Sequence, residues 1–466
     1  MKRLIGTKQF YRSILMIAIP IIIQNAIMNF VNLLDNIMIG QVGTAQMSGV
    51  AITNQLMFVY NVTIFGAVSG AGIFGAQFFG SGNQEGLRNT FRFKILSCIL
   101  VGIATIVLFG FGGDQLISFY LNENNDAASI RETLQFGRQY LNIMILGLIP
   151  FAISGAYSST IRETGETVVP MISSISAVLT NFVFNYILIF GMFGAPKLGV
   201  QGAAIATVLS RFVELAVLLV WTHRNRERNQ FIQKAYRSFR IPKELAGKII
   251  LKGTPLLVNE FLWAGGMAMM MQNYSVRGLD TVAAMNISNT VANVFNIVFL
   301  AMGNVIAIVV GQLLGAGKMK EAKQTAGKLI FMSVVMSTMM GLLMLLIAPF
   351  FPQIYNTTEE IRSLATKFII VPAICMPMYA FMHASYFTLR SGGNTVITFL
   401  FDSAFVWVVS IPLAYVLSRY TVLNIVFVYL FCQLIEILKC ILGYILVKKG
   451  VWLNNMVEQR IVEKQS

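Results

Sequence analysis

The chain has 466 residues, of which 56% are hydrophobic and only 12% charged, with a mean hydropathy of +0.70. A soluble domain carries about 25% charged residues, so this composition excludes an ordinary soluble globule and defines a polytopic, all-α membrane protein. The net charge of +15 would suit a nucleic-acid binder, but the lysines and arginines concentrate in alternate loops between apolar runs; it reads as a topology signal, and no nucleic-acid partner is expected.

A bilayer-spanning helix needs about 20 mostly apolar residues, and charged or turn-rich interruptions divide the chain into twelve such runs. The first, roughly 13–39, is too long for a signal-peptide core and lacks a small-residue cleavage site, so it reads as the first span. It carries "NFVNLLDNIMIGQVG", in which Asp35 sits among Asn29, Asn32 and Asn36. A charge at the bilayer centre costs about 2.5–3.5 kcal/mol or more, which makes an intramembrane carboxylate a functional candidate by default. Its oxygen-rich surroundings suit either a proton or a small hard cation such as sodium.

In the second span, "GAGIFG" matches a dinucleotide fingerprint only in letters. No strand precedes it, and small-residue helix packing explains it. The fifth span offers "TNFVFNYILIFG", where Asn181 and Asn185 are four residues apart and share a helix face. In the sixth span Arg211 and Glu214 stand at i, i+3 and neutralise each other. The segment "HRNRERNQFIQKAYRSFRIPKELAGK" then reads as a cytoplasmic linker whose charges are a topology signal before they are a contact for anionic lipid headgroups.

The seventh span contains "GTPLLVNEFLWAGG", with Glu260 five residues after Pro255 and Asn259 beside it. Trp263 and Phe261 are placed to stack on an organic cation. "GQLLGAGKMK" at the end of the eighth span has the wrong glycine spacing for a phosphate loop. His383 in the tenth span has a side chain able to titrate near neutrality. Asp402 in the eleventh is a further intramembrane carboxylate, while Glu436 and Lys439 in the twelfth form another i, i+3 pair. Asp35, Glu260 and Asp402 are thus left with no cation on their own helices. Cys98, Cys375, Cys432 and Cys440 fall in or beside apolar runs without metal-ligand spacing and read as packing residues. No zinc-hydrolase motif or paired acidic cluster is present in the sequence, so no enzyme and no cofactor are expected.

The chain is also written twice. "GAQFFGSGNQEG" recurs as "GQLLGAGKMKEA", with Gln77 and Gln312 spaced like Pro20 and Pro255, Gly43 and Gly278, and Asn54 and Asn289. "RETGET" and "SRFVEL" return as "RSGGNT" and "CQLIEI". Two six-helix halves follow: an N-lobe at 1–222 and a C-lobe at 247–466, joined by the linker at 223–246. With an even number of spans per half, both termini lie in the cytoplasm and the halves run parallel, as in many secondary transporters.

On these residues the sequence resembles the multidrug and toxic compound extrusion (MATE) family. "NLLDNIMIGQVG" is similar to that family's first-span motif, which implies an ion-coupling role for Asp35. "NFVFNYILIFG" with "LGVQGAAIATVLSR" resembles its fifth and sixth spans, implying that Asn181, Asn185 and Thr207 complete a cation network, with Na⁺ at Asp35 as one occupant. Two departures are visible: Asn185 stands where some members have aspartate, and Glu260 lies about one turn nearer the proline than the glutamate of many bacterial members. The resemblance implies two pseudo-symmetric six-helix bundles in a V, exporting small organic cations in exchange for inward H⁺ or Na⁺. Glu260, Asn259, Trp263, His383 and Asp402 are then the C-lobe candidates for substrate or ion. The expected setting is a monomer among lipids of the cell membrane. A lipid-linked oligosaccharide flippase of the same broad superfamily is the alternative, and would need cationic residues in its cavity.

Overall fold

The computed structural model describes residues 5–40, 42–121 and 127–458, with the side chains of 31–37, 40, 44 and 127 outside the description. Twelve long helices cover these residues, with no strand among them. They are α1 Lys8–Gly40, α2 Thr44–Gly80, α3 Gln84–Ser118, α4 Ala127–Glu163, α5 Val168–Phe190 and α6 Val200–Arg224. After the linker come α7 Lys243–Ser275, α8 Leu279–Gly315, α9 Met319–Ile347, α10 Glu359–Ser391, α11 Thr395–Tyr420 and α12 Ile425–Lys449. Eleven of these are long and apolar enough to cross a bilayer over their described residues; α7 falls short because Asn259 and Glu260 interrupt its apolar stretch. Side chains such as Leu100, Phe111, Leu346 and Val408 point away from the protein, as on helices solvated by acyl chains.

The chain divides into two compact units. One comprises Ile23–Gly75 and Gln84–Ile249 and is called here the α3–α6 unit. The other comprises Met1–Ile22, Ala76–Asn83 and Ile250–Ser466, the α8–α12 unit. Helices α1 and α2 contribute to both, which an apolar-run reading cannot anticipate. Ile14, Ala18 and Ile21 of α1 are buried in the α8–α12 unit against Ala301, Met302 and Val305.

The repeated Gln-x-x-Gly-x-Gly motif marks a helix crossing in the α8–α12 unit. A Cβ on Gly80 would sit 1.9 Å from the Gln312 carbonyl oxygen, and a Cβ on Gly315 would sit 1.9 Å from that of Gln77. The ends of α2 and α8 therefore touch backbone to backbone, a contact only glycine permits. The last residue of each motif, Gly82 or Gly317, has φ near +75° or +72° and ends its helix in the left-handed conformation.

Helix α11 is irregular, with π-helical turns at Leu400–Ala404 and Val406–Ser410. Such turns release backbone groups from the regular ladder. Helix α12 is interrupted between Leu434 and Ile437, next to Glu436.

Candidate functional site

In the α3–α6 unit, α5 and α6 bring three of the sequence-predicted residues together. Asn185 Nδ2 donates to Asn181 Oδ1 at 3.1 Å, and Asn181 Nδ2 donates to Thr207 Oγ1 at 3.1 Å. Thr207 in turn donates to the Ala203 carbonyl at 3.0 Å, which fixes the direction of the chain of hydrogen bonds. Both asparagines are buried. Asp35, with Asn32 and Asn36, lies outside the described side chains, so the carboxylate expected to complete this cluster is not placed.

These amides line a cavity of about 370 Å³ that also reaches Asn54, Tyr140, Phe151 and the Arg211–Glu214 pair. The pair forms as its spacing predicts, with Arg211 Nη1 3.3 Å from Glu214 Oε2. Both residues sit near the middle of α6. Arg211 also lies over the Phe151 ring, 4.7 Å from its centroid. Behind Glu214 a second polar chain continues: Ser174 Oγ donates to Glu214 Oε1 at 3.2 Å, and Gln24 Nε2 donates to Ser174 Oγ at 2.6 Å. Arg162 Nη2 donates to Gln24 Oε1 at 3.0 Å.

The α8–α12 unit carries a matching network at the repeat-related positions. Asn259, Asp402 and Glu436 are the counterparts of Gln24, Ser174 and Glu214. Asn259 Nδ2 donates to Asp402 Oδ2 at 3.0 Å and faces the Tyr386 hydroxyl at 3.4 Å. Its Oδ1 accepts the Ser403 amide at 3.2 Å, while Ser403 Oγ donates to the Asn259 carbonyl at 2.7 Å. Asn259 thereby satisfies backbone that the π turn has freed and aims Asp402 inward.

Lys439, buried under the Phe405 ring, lies 2.7 Å from Glu436 and 3.7 Å from Asp402. Asp402, which has no cation on its own helix, finds one on α12, beyond the reach of same-helix spacing. Glu260 is likewise within electrostatic reach of Arg390 of α10 and of Asp402. Arg390 is buried and lies over the Phe387 ring at 5.2 Å. His383 is held in an aromatic cluster, 4.8 Å from Phe387, 5.4 Å from Phe299 and stacked on Tyr386 at 6.4 Å, all centroid to centroid. Trp263 and Phe261 are exposed on α7.

Sequence reasoning missed Lys94, Glu163 and Arg390, which stand at or just beyond the ends of the apolar runs and read as loop charges. Lys94 is fully buried and pairs with Glu163, and Gly72 and Gly75 of α2 leave room for that carboxylate. The "GAGIFG" stretch thus has its packing role, around a charge. The four cysteines are free thiols, with Cys98, Cys375 and Cys432 buried.

Amide and ion-paired side chains surround a cavity among helices long and apolar enough to cross a membrane, an arrangement found in membrane transporters. The chain belongs to the MatE family, whose model matches residues 20–187 and 255–416. It is 25% identical to the probable multidrug resistance protein NorM of Thermotoga maritima, over 88% of this chain and 86% of that protein. It is 24% identical to the probable multidrug resistance protein YoeA of Bacillus subtilis, over 89% and 88% of the two chains. Among solved structures it shares its fold with MATE in complex with MaD3S, at a TM-score of 0.85 and 16% identity, covering 97% of this chain and 98% of that one. A similar match, TM-score 0.83 at 17% identity over 97% and 98%, is to a MOP superfamily transporter from Pyrococcus furiosus described as having a binding pocket of reversed polarity.

Proposed function

We propose that the protein is a secondary active multidrug efflux antiporter of the cell membrane, exporting small organic cations in exchange for inward H⁺ or Na⁺ by alternating access. The observation that carries this reading is the cavity of the α3–α6 unit, lined by Asn181, Asn185, Thr207 and the Arg211–Glu214 pair. Arg211, which also lines it, is neutralised by Glu214, so the Asp35 carboxylate proposed to join this cavity would favour a cation over an anion. The names carried by the NorM and YoeA relatives support export of drugs. In this reading Asp35 is the coupling carboxylate. Loading it with H⁺ or Na⁺ biases the protein between its two orientations, as any ligand with unequal affinities for two states must. Asn259, Glu260 and Asp402 form a second polar centre in a C-lobe at 247–466, and His383 and Trp263 flank it. The N-lobe at 1–222, the cytoplasmic linker at 223–246, cytoplasmic termini and a monomer among membrane lipids complete the proposal.

The flippase alternative needs cations free to bind a pyrophosphate. Lys94, Arg211 and Lys439 are each engaged by a carboxylate, which disfavours it.

The test is ethidium uptake into inside-out vesicles energised separately by a proton and a sodium gradient. Gradient-driven uptake by wild type, abolished in Asp35→Asn, supports the antiporter and names its ion. Folded protein that moves no organic cation under either gradient overturns it.

A further inference from the structure

We propose that Glu214 and Phe151 form a cradle for the charged end of a planar organic cation, and that Arg211 is a tethered guanidinium occupying this cradle until substrate displaces it. The inference rests on the organic-cation reading above and adds to it the chemistry of recognition.

The geometry has three parts. First, Arg211 makes the two contacts a planar aromatic cation would make: a carboxylate 3.3 Å from one nitrogen, and a ring face 4.7 Å below the guanidinium carbon. Second, Glu214 is held in place from behind by Ser174, at 3.2 Å, so its carboxylate keeps its position when Arg211 leaves. Third, Arg211, Glu214 and Phe151 all line the same cavity.

Access separates this pair from the other intramembrane ion pairs. The difference lies in the cation: the Arg211 side chain is 24% exposed, whereas Lys94 is 0% and Lys439 2% exposed, while Glu214 at 13% is no more open than Glu436 at 12% or Asp402 at 24%. A sealed pair holds helices together; a pair opening onto a cavity can exchange partners. Exchange conserves charge: an organic cation that takes the carboxylate from Arg211 is itself neutralised, while the freed guanidinium turns its long side chain into the cavity unpaired, a cost that the substrate's contacts with ring and carboxylate together must exceed. The internal guanidinium then sets a threshold: the apparent affinity for any cation is its intrinsic affinity scaled by the fraction of time the cradle is vacant. Planar cations that engage both ring and carboxylate pass it, and compact ammonium ions that use the carboxylate alone do not.

The experiment is equilibrium binding of ethidium to the purified full-length protein, followed by fluorescence at fixed pH and salt. Wild type is compared with Arg211→Gln, Arg211→Lys and Glu214→Gln. Vacating the cradle in Arg211→Gln should tighten ethidium binding by about tenfold. Arg211→Lys, whose ammonium cannot stack flat on Phe151, should tighten it by about threefold. Glu214→Gln should weaken it by at least about tenfold, as expected for loss of a charged partner. Methylguanidinium should compete with ethidium at lower concentration in Arg211→Gln than in wild type. Unchanged or weaker ethidium binding in folded Arg211→Gln overturns the proposal, and if that variant does not fold, the same result in Arg211→Lys does so. Wild-type binding unaltered by the Arg211 changes sinks the cradle alone; absence of binding in wild type and in both Arg211 variants sinks the organic-cation reading with it.

Discussion

Lys94 shows how a charge is accommodated inside these helices. An ammonium has three donors, and here all three are used: Ser159 Oγ at 3.1 Å, Thr160 Oγ1 at 3.2 Å and Glu163 Oε1. Glu163 also accepts from Ser159 Oγ at 2.7 Å. Removing one member of a buried pair leaves the other uncompensated, which typically costs about 3–5 kcal/mol. Lys94→Met should therefore lower stability by about 3 kcal/mol, read as a clear drop in melting temperature by fluorescence-detected size exclusion. Adding Glu163→Gln should restore most of the loss, because an amide can still use the serine and threonine hydroxyls. A double variant as unstable as Lys94→Met would refute this account. Asn181, Asn185 and Thr207 were legible in the sequence because the first two share one helix face and the third was carried by a family resemblance. Lys94 and Glu163 were not, because apolar runs mark the lipid-solvated part of a helix. Helices α3 and α4 continue past those runs, where polar side chains are buried against protein.

At the level of elements, the repeat was visible in the sequence while its purpose was not. The two Gln-x-x-Gly-x-Gly copies are partners in one crossing, and their glycines have different duties. Gly315 is required by a neighbouring backbone 1.9 Å from its absent Cβ, whereas Gly317 has nothing within 4 Å and is required only by its positive φ. Gly317→Ala should cost about 1–2 kcal/mol, the ordinary penalty of a left-handed alanine. Gly315→Ala has no such bound, because α2 and α8 must separate, and the yield of monodisperse protein should fall sharply. Equal yields of the two variants would contradict the crossing. The chain after α12 covers the same place. Gln77 Nε2 donates to the Ser391 and Asn454 carbonyls at 3.0 and 3.2 Å, its Oε1 accepts the Met456 amide at 2.8 Å, and Trp452 is fully buried. Trp452→Ala should cost about 3–5 kcal/mol by the usual measure for a buried aromatic, with the loss again read as thermal stability.

For the whole molecule, the sequence disclosed the helix count and the doubled plan, since both depend on long apolar stretches and on letters that recur at fixed spacing. The linker's basic composition reads as a topology signal and gives no sign of how the segment is held. The structure docks it within the α3–α6 unit. Arg92 donates to the carbonyls of Lys234 and Ala235, each at 2.8 Å; Phe231 is buried against Phe91 at 5.2 Å; and Tyr236 hydrogen-bonds Tyr157 while stacking on His223. Arg228 reaches Glu166. The apolar letters Phe231, Ile232 and Tyr236 stand among the charges in the sequence, but nothing there shows that Phe91 and Tyr157 wait for them. Docking changes what a protease meets: trypsin needs an extended stretch of chain, so the exposed Arg237, in the 3₁₀ turn Ala235–Arg237 beside the docked Tyr236, is cut only after the segment lifts away. Truncating a buried phenylalanine costs about 3 kcal/mol or more. Phe231→Ala should accordingly raise the cleavage rate of the linker at least about tenfold at low trypsin concentration, where cutting follows the population of the open form. Arg92→Ala should act in the same direction through the two lost carbonyl contacts. With the linker on the cytoplasmic side, as proposed, both effects should appear in inside-out vesicles and vanish in right-side-out ones. Cleavage at equal rates in wild type and Phe231→Ala would mean that the linker lies free.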